Sequence, residues 1–304
     1  MYPIITVPDE AGDILEQLGT KPKFWFSNAE SRYLFKLNRS QAEDATGEDW
    51  SEKVASELCD LLGLPHAQYE FATWKGQHGI ASLSFVPPGG RLVAGNEVLV
   101  RLDKGYPKEE FYKVRQHTLR LVLSIIRRDI IQPPLNWHSF TNVESAVDVF
   151  VGYLMLDAWI ANQDRHHENW GFIVSSERRI HLAPTFDHAS SLGWNETDST
   201  RLERLTTKDA RRAIAWYVEK ALSALFSSPA SSKPMATLDV FKEAARLRPP
   251  AAKAWLDRLS QISDDNVRGI FDQIPVDRIS DAGRRFAMKM LGLNQKRLLR
   301  LEVK

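Results

Sequence analysis

The chain reads as an α+β protein of two unequal lobes, and three features of its sequence predict this. Residues before about 88 alternate apolar and polar residues around one helical segment. Residues after it show helical periodicity almost throughout, and Pro87-Pro-Gly-Gly90 stands between the two regimes as the clearest hinge signal. The expected division is a strand-rich lobe over 1–88 and a larger helical lobe over 89–304. A cleft between such lobes is a usual place for a ligand.

In the first lobe, Phe24-Trp-Phe26 and Tyr33-Leu-Phe-Lys-Leu37 flank Ser27-Asn-Ala-Glu-Ser31, which predicts a hairpin with a polar turn. A helix follows from Asp49 to Leu62, with Val54, Ala55, Leu58, Leu61 and Leu62 at helical spacing. Asp49 or Ser51 is its expected cap, and Gly63 and Pro65 end it. Gln68–Trp74 and Ile80–Val86 predict a second strand pair. In the second lobe helices are expected over 109–127, 143–160, 210–226, 238–247, 251–259 and 282–301, with one short hairpin formed by 171–174 and 180–183.

Composition narrows the functional classes. The 304 residues are 43% hydrophobic and carry a net charge of +1, so no global field directs the chain to nucleic acid or a membrane surface. Cys59 is the sole cysteine, which excludes an internal disulfide or a multi-cysteine zinc site and fits a reducing, cytoplasmic setting. No signal peptide is visible, and the longest apolar run, 147–161, is too short to span a bilayer and contains Asp157. It reads as a buried core helix.

That apolar run leads directly into Asn162-Gln-Asp-Arg-His-His-Glu-Asn169. Carboxylates at the end of a buried helix are costly unless their polarity is used or paired. Asp164 and Asn169 stand five residues apart, the spacing of a phosphotransferase loop in which the Asp meets the acceptor hydroxyl and the Asn holds a metal. Asp187 follows a short apolar strand eighteen residues later, placed to supply a second oxygen to Mg²⁺. Lys36 lies late in a strand, where a lysine is otherwise unwelcome, and is the candidate cation for the ATP phosphates. Glu52 is the expected acid that holds it, with Glu57 as the alternative. Any one of these residues has a bland reading as a turn or surface group. Their order along the chain and the predicted setting favour the catalytic one.

At these residues the chain resembles the HipA family of bacterial serine/threonine kinases. The resemblance runs from about Phe24 to Leu205 and is strongest at DAWIANQDRHHENWGF and LAPTFDHASSLG, with SEKVASELCDLLGLP adding to it. Glu52, eleven residues before Gly63, matches the position of the family's lysine-pairing glutamate. The resemblance implies a bilobed protein-kinase-like fold, ATP and Mg²⁺ as cofactors, and phosphorylation of a protein serine or threonine. It also implies a toxin held by an antitoxin partner and, by analogy with known relatives, an aminoacyl-tRNA synthetase as substrate. It is closest to the compact, truncated branch, since residues 1–23 leave no room for a further amino-terminal subdomain. The Asp-Arg-His core is shared with phosphoinositide-type lipid kinases. A lipid or small-molecule kinase is therefore the alternative, followed by a non-catalytic nucleotide-binding module.

The phosphate-binding turn, Phe26 to Ser31, contains no glycine, so backbone N–H groups with Ser27 and Ser31 are expected to line the anion site. Ser27 and Ser31 are also candidate autophosphorylation sites. The Ser84–Val86 hinge, centred on Phe85, is expected to meet the adenine through backbone groups. His166 reads as a brace for the loop rather than a zinc ligand, because adjacent histidines rarely point at one ion. Arg165 is expected to pair with an acidic neighbour and Asp157 to hydrogen-bond loop backbone. From Arg284 to Lys304 seven basic residues face one acid, which reads as a solvated face on two helices rather than a patch for nucleic acid.

Overall fold

The computed structural model describes residues 1–13, 23–29, 31–39, 47–110 and 113–303. Its first sheet contains β1 (Ile4–Val7), β2 (Lys23–Asn28), β3 (Ser31–Leu37), β4 (Tyr69–Trp74) and β5 (Gln77–Leu83), in the order β1-β4-β5-β3-β2. β1 runs parallel to β4, and the other pairings are antiparallel. The period-2 alternation of side chains sorts this sheet into two faces. Phe24, Phe26, Phe35, Ala72 and Ala81 form a small apolar cluster on one face, while Tyr69, Phe71 and Ile80 join the main core on the other. Lys36 follows Phe35 and so is carried to the main-core side, towards α1 (Glu48–Leu62).

Gly63 ends α1 in the left-handed region at φ 68°, where glycine has no Cβ penalty. The start of the helix differs from expectation. Gly47 is the cap residue, without a side-chain cap bond, and neither Asp49 nor Ser51 plays that part. Tertiary partners claim both: Asp49 is buried against Arg278 at 3.1 Å, and Ser51 Oγ donates to the Ser191 carbonyl at 3.1 Å.

The connection after β5 carries Pro87–Gly90, closed by a Gly90 N–H to Pro87 carbonyl bond of 2.9 Å, and leads into β6 (Arg91–Ala94) and α2 (Gly95–Leu102). A second sheet pairs β6, β8 (Gly171–Val174), β9 (Ile180–Leu182) and β7 (Ile131–Gln132) in that order. Around it stand α3 (Leu119–Ile126), α4 (Ala146–Ile160), α5 (Asp198–Thr206), α6 (Ile214–Glu219), α7 (Thr237–Leu247), α8 (Pro249–Ser260), α9 (Asp264–Asp272) and α10 (Asp281–Leu299). Every residue of α4 is buried, as an apolar sequence without an amphipathic face requires. α7, α8 and α10 enclose it. Among the described residues no helix is long and apolar enough to cross a membrane.

Several helix expectations are corrected. Residues 111 and 112 of the expected 109–127 helix lie outside the described residues; among the described ones the helix starts at Leu119, because Thr118 caps it there, accepting from Leu121 N–H, and also pairs with Phe226. The 210–226 segment shortens to α6; beyond it the chain turns extended, with Leu222 bridging Ala236. The basic carboxy-terminal segment forms one helix, α10, rather than two. Its charges are mostly solvated, with Arg284 donating to the Phe271 carbonyl and Arg297 to the Val218 carbonyl.

Arg278, in the loop between α9 and α10, joins the two parts of the molecule. Its fully buried guanidinium reaches the Asp49 carboxylate at 3.1 Å, Thr73 Oγ1 at 2.9 Å and the Ala72 carbonyl at 3.1 Å. Arg258 Nη1 adds a bond to the Leu62 carbonyl at 2.9 Å, fastening the far end of α1. Removing one partner of a buried pair leaves the other charge uncompensated. Arg278→Met is therefore expected to cost about 3–5 kcal/mol of unfolding free energy in denaturant titration. The double variant Arg278→Met with Asp49→Asn should recover part of that loss.

A buried histidine supports the segment beneath β8. His117 Nδ1–H donates to the Ala224 carbonyl at 3.2 Å, so Nε2 is the atom that accepts from Trp170 Nε1 at 3.0 Å. Burial drives the His117 pKa down to about 3. The native state thus refuses a proton that the unfolded chain accepts below about pH 6.5. Stability is full above that pH and falls on acidification until about pH 3, by up to ~1.4 kcal/mol per pH unit from this group. His117→Gln, which keeps an acceptor but does not titrate, should flatten the stability profile between pH 6.5 and 4 in chemical denaturation.

Candidate active site

Three of the charged residues singled out in the sequence meet directly. Lys36 Nζ donates to Glu52 Oε1 at 3.2 Å and to Asp187 Oδ1 at 3.0 Å. Glu52 is almost fully buried, and its second oxygen accepts the His188 backbone N–H at 2.9 Å. The alternative acid, Glu57, instead pairs with Lys53 at 2.8 Å. Burial alone would lower the Lys36 pKa, but the charges of Asp187 and Glu52 more than offset it and hold the ammonium well above the ordinary lysine value. Asp187 itself sits at φ 59°, a left-handed conformation that an Asp tolerates better than most residues. Its backbone N–H donates to the Tyr69 hydroxyl at 3.0 Å.

Asp164 and Asn169 form a second cluster. α4 ends at Ala161, which turns the chain out of the helix at φ 53°. Asp164 N–H donates to Asn162 Oδ1 at 3.1 Å, and its carbonyl accepts from Asn169 Nδ2 at 2.7 Å. The Asn169 amide nitrogen is thereby committed, which leaves Oδ1 as the atom able to ligate a cation. The Asp164 carboxylate is a quarter exposed and accepts a long bond from Ser190 Oγ at 3.5 Å. His166 braces the loop by accepting the Glu168 N–H at 3.1 Å on Nδ1, while Nε2 lies 3.8 Å from Asp164 Oδ1. His167 turns away, its ring at 88° to that of His166 and its Nδ1 2.8 Å from the Tyr106 hydroxyl.

Arg165 links the two clusters. Its buried guanidinium grips both oxygens of Asp157 at 2.8 and 2.7 Å, the Asn169 carbonyl at 2.6 Å and Thr185 Oγ1 at 2.9 Å. Asp157 was expected to bond loop backbone. Its carboxylate instead takes side-chain donors, Arg165 and Asn162 Nδ2, because the guanidinium fork matches its two oxygens. Thr185 also contacts His188 Nε2 at 2.8 Å, and its backbone pairs with the loop after α1 through Pro65 and Ala67. The segment ending at Asp187 is thus held from α1, from α4 and from the Asp164 loop.

The remaining candidates lie around this centre. Ser27 and Ser31 sit near the tip of the β2–β3 hairpin, paired with Arg32 and Asn28 respectively; Ser27 is exposed and Ser31 half-buried. No hydrogen bond among the described residues joins either to the charged centre. Phe85 stacks on Phe186, centroids 5.6 Å apart at 28°, so the hinge touches the residue before Asp187. The Ser84 N–H of the expected adenine hinge is taken by the Arg32 carbonyl at 2.8 Å. Phe85 and Val86 also line a cavity of about 590 Å³ shared with His66, Trp137 and Pro184.

Sequence reasoning missed Tyr69, Thr185, His188 and Ser190. Thr185 and His188 flank Phe186-Asp187 and share its motif, so the local sequence carried a signal for them. Tyr69 is brought in from β4 and had none.

The oxygen donors Asn169 Oδ1 and the Asp187 carboxylate form a hard ligand set that fits Mg²⁺, whose remaining positions go to water and phosphate oxygens. The Asp187 side chain is 38% exposed, and the Lys36 ammonium beside it provides for phosphate charge.

No protein-family model matches the sequence, and no curated protein matches it. Solved structures do. The structure is similar to that of the Helicobacter pylori proinflammatory kinase CtkA, with a TM-score of 0.70 at 20% identity over 99% of this chain and 100% of that one. It is also similar to HipA from the toxin–antitoxin system of Shewanella oneidensis MR-1, solved with HipB and operator DNA. There the TM-score is 0.58 at 12% identity, over 97% of this chain and 67% of that one. The chain therefore has an α+β fold similar to those of CtkA and HipA, shared with CtkA over 99% of its length.

Proposed function

We propose that this chain is an ATP-dependent kinase of HipA-like type that phosphorylates a protein serine or threonine. The observation that carries the reading is Lys36 held between Glu52 and Asp187, at 3.2 and 3.0 Å, beside a loop in which Asn169 is locked to Asp164. A lysine with only 17% of its side chain exposed, held between two carboxylates, is costly as mere structure. It is useful where a polyphosphate must be met by a fixed cation.

In this reading Lys36 binds the α- and β-phosphates of ATP, and Glu52, at 3.2 Å, holds it in place beside Asp187. Asn169 and Asp187 hold Mg²⁺, which supplies charge neutralisation on the phosphates when bound. Asp164 orients the acceptor hydroxyl and takes its proton as the oxygen–phosphorus bond forms and the bond to the β-phosphate oxygen breaks. Ser190 and His166 restrict the Asp164 carboxylate. Arg165 keeps its loop at a constant distance from Asp187. The division into a phosphate-gripping lobe over 1–88 and a catalytic lobe over 89–304 belongs to the same proposal.

The likeness to HipA, a member of a toxin–antitoxin system, supports a toxin role with an antitoxin partner. An aminoacyl-tRNA synthetase is the substrate class this role suggests. The likeness to CtkA, described as a proinflammatory kinase, keeps the acceptor question open to other proteins. A cytoplasmic location is part of the toxin reading.

Incubation with labelled ATP tests the proposal. Label should enter protein, and Asp164→Asn should lower the rate by about 10²–10⁴-fold without changing the melting temperature. Asp187→Ala and removal of divalent cations by chelation should each abolish transfer. Label entering lipid or a metabolite alone would defeat the protein-kinase reading. Unchanged transfer in Asp164→Asn would defeat the catalytic assignment.

Ser27 and Ser31 are proposed as autophosphorylation sites. A phosphate there adds roughly −1.5 to −2 charge beside the nucleotide phosphates and should oppose ATP binding. Mass spectrometry should find phosphate on Ser27 or Ser31 in the active chain and none in Asp164→Asn.

A further inference from the structure

A second basic cavity lies on the helical part, built from α3, α4 and α7 and independent of the site above. It encloses about 420 Å³, within the ordinary range of small-ligand sites. Arg120, Arg127, Arg246 and Arg248 line it together with the apolar side chains of Leu123 and Val147. Four guanidiniums around one concavity repel each other unless carboxylates or a ligand compensate them.

The compensation present is incomplete. Glu243 receives Arg120 Nη2 at 3.1 Å and Arg246 Nε and Nη2 at 2.9 Å each. Asp148 receives Arg248 Nε at 2.9 Å and Nη2 at 2.6 Å. Hydrogen bonds from Arg246 and Arg120 pull the Glu243 pKa down to about 2, so this acid stays ionised at neutral pH. Arg127 makes no ion pair among the described residues and is exposed. Two carboxylates against four guanidiniums leave an excess of two positive charges at this rim.

The carboxylates also orient the guanidiniums. Each guanidinium has five N–H donors, and the pairs above use one or two on Arg120, Arg246 and Arg248 and none on Arg127. The remaining donors of those three paired arginines are held on side chains already anchored at one end, which lowers the entropy lost on binding an oxyanion. A carboxylate ligand would match one of the surplus charges. A phosphomonoester, at roughly −1.5 to −2, matches both and presents three acceptor oxygens.

We infer that this cavity binds a phosphomonoester carried on an apolar body, the phosphate meeting the arginine rim and the apolar group resting on Leu123 and Val147. A phosphoserine beside an apolar residue in a peptide and a small aryl or alkyl phosphate share that chemistry. The inference does not rest on the kinase reading, because binding here needs no nucleotide.

The test uses the full chain without nucleotide and a fluorescent peptide containing phosphoserine followed by leucine, read by anisotropy. The phosphopeptide should bind at least about tenfold more tightly than its unphosphorylated form, as expected for charge-assisted bonds. The double variant Arg120→Gln, Arg127→Gln should weaken it by at least about tenfold while its melting temperature stays the same. Both positions are exposed, and Arg246 still compensates Glu243. If phenyl phosphate displaces the peptide where equal inorganic phosphate does not, the apolar floor takes part as inferred. Equal binding of the two peptides, or wild-type binding by the double variant, would overturn the assignment.

Discussion

The candidate site depends above all on one buried ion pair, Arg165 with Asp157. Burying either charge alone would be prohibitive, and even a pair is tolerated only when its remaining donors are used. Here they are. Bonds to the Asn169 carbonyl and Thr185 Oγ1 satisfy the guanidinium beyond its two contacts with Asp157, and Asn162 adds a donor to the carboxylate. One planar group therefore fixes the end of α4, the Asp164 loop and the strand that leads to Asp187. A lysine could not do this, since it lacks the rigid fork.

What Arg165 does within the helical part, Arg278 does between the parts. It reaches from the loop before α10 to α1 and the first sheet, so the helix carrying Glu52 is tied to the helices that enclose α4. Glu52 then meets Lys36 and the backbone of His188 at once. The charges at the centre are thus positioned by two arginines that touch none of the proposed reacting atoms. Backbone strain is placed in the same region: Ala161 and Asp187 both adopt positive φ, one at the exit from α4 and one at the proposed metal ligand. Such conformations persist only where surrounding bonds over-determine them, and both residues lie inside the network Arg165 organises.

Two buried histidines are held neutral, and His188 lies beside this charged centre. His117 and His188 have pKa values pushed down by burial, His117 as a donor-acceptor bridge to Trp170 and His188 against Thr185. His188 makes its hydrogen bond without adding charge near Lys36 and Arg165. Neutral bridges of this kind let the site carry its working charges on few groups.

The elements legible in the sequence were those with a strong period or a strong stop. The β2–β3 hairpin, α1 ended by Gly63, and α4 as a uniformly apolar helix follow from side-chain pattern alone. So does the order of Lys36, Glu52, Asp164, Asn169 and Asp187, because residue types at set spacings carry that chemistry locally. The hold of Arg165 on Asp157 depends on which faces meet after folding. So do the conversion of Asp49 from a cap to a buried partner of Arg278 and the gathering of four arginines around one cavity. Local pattern is set by bonds to near neighbours, whereas a buried charge finds its partner only when distant segments exclude water together.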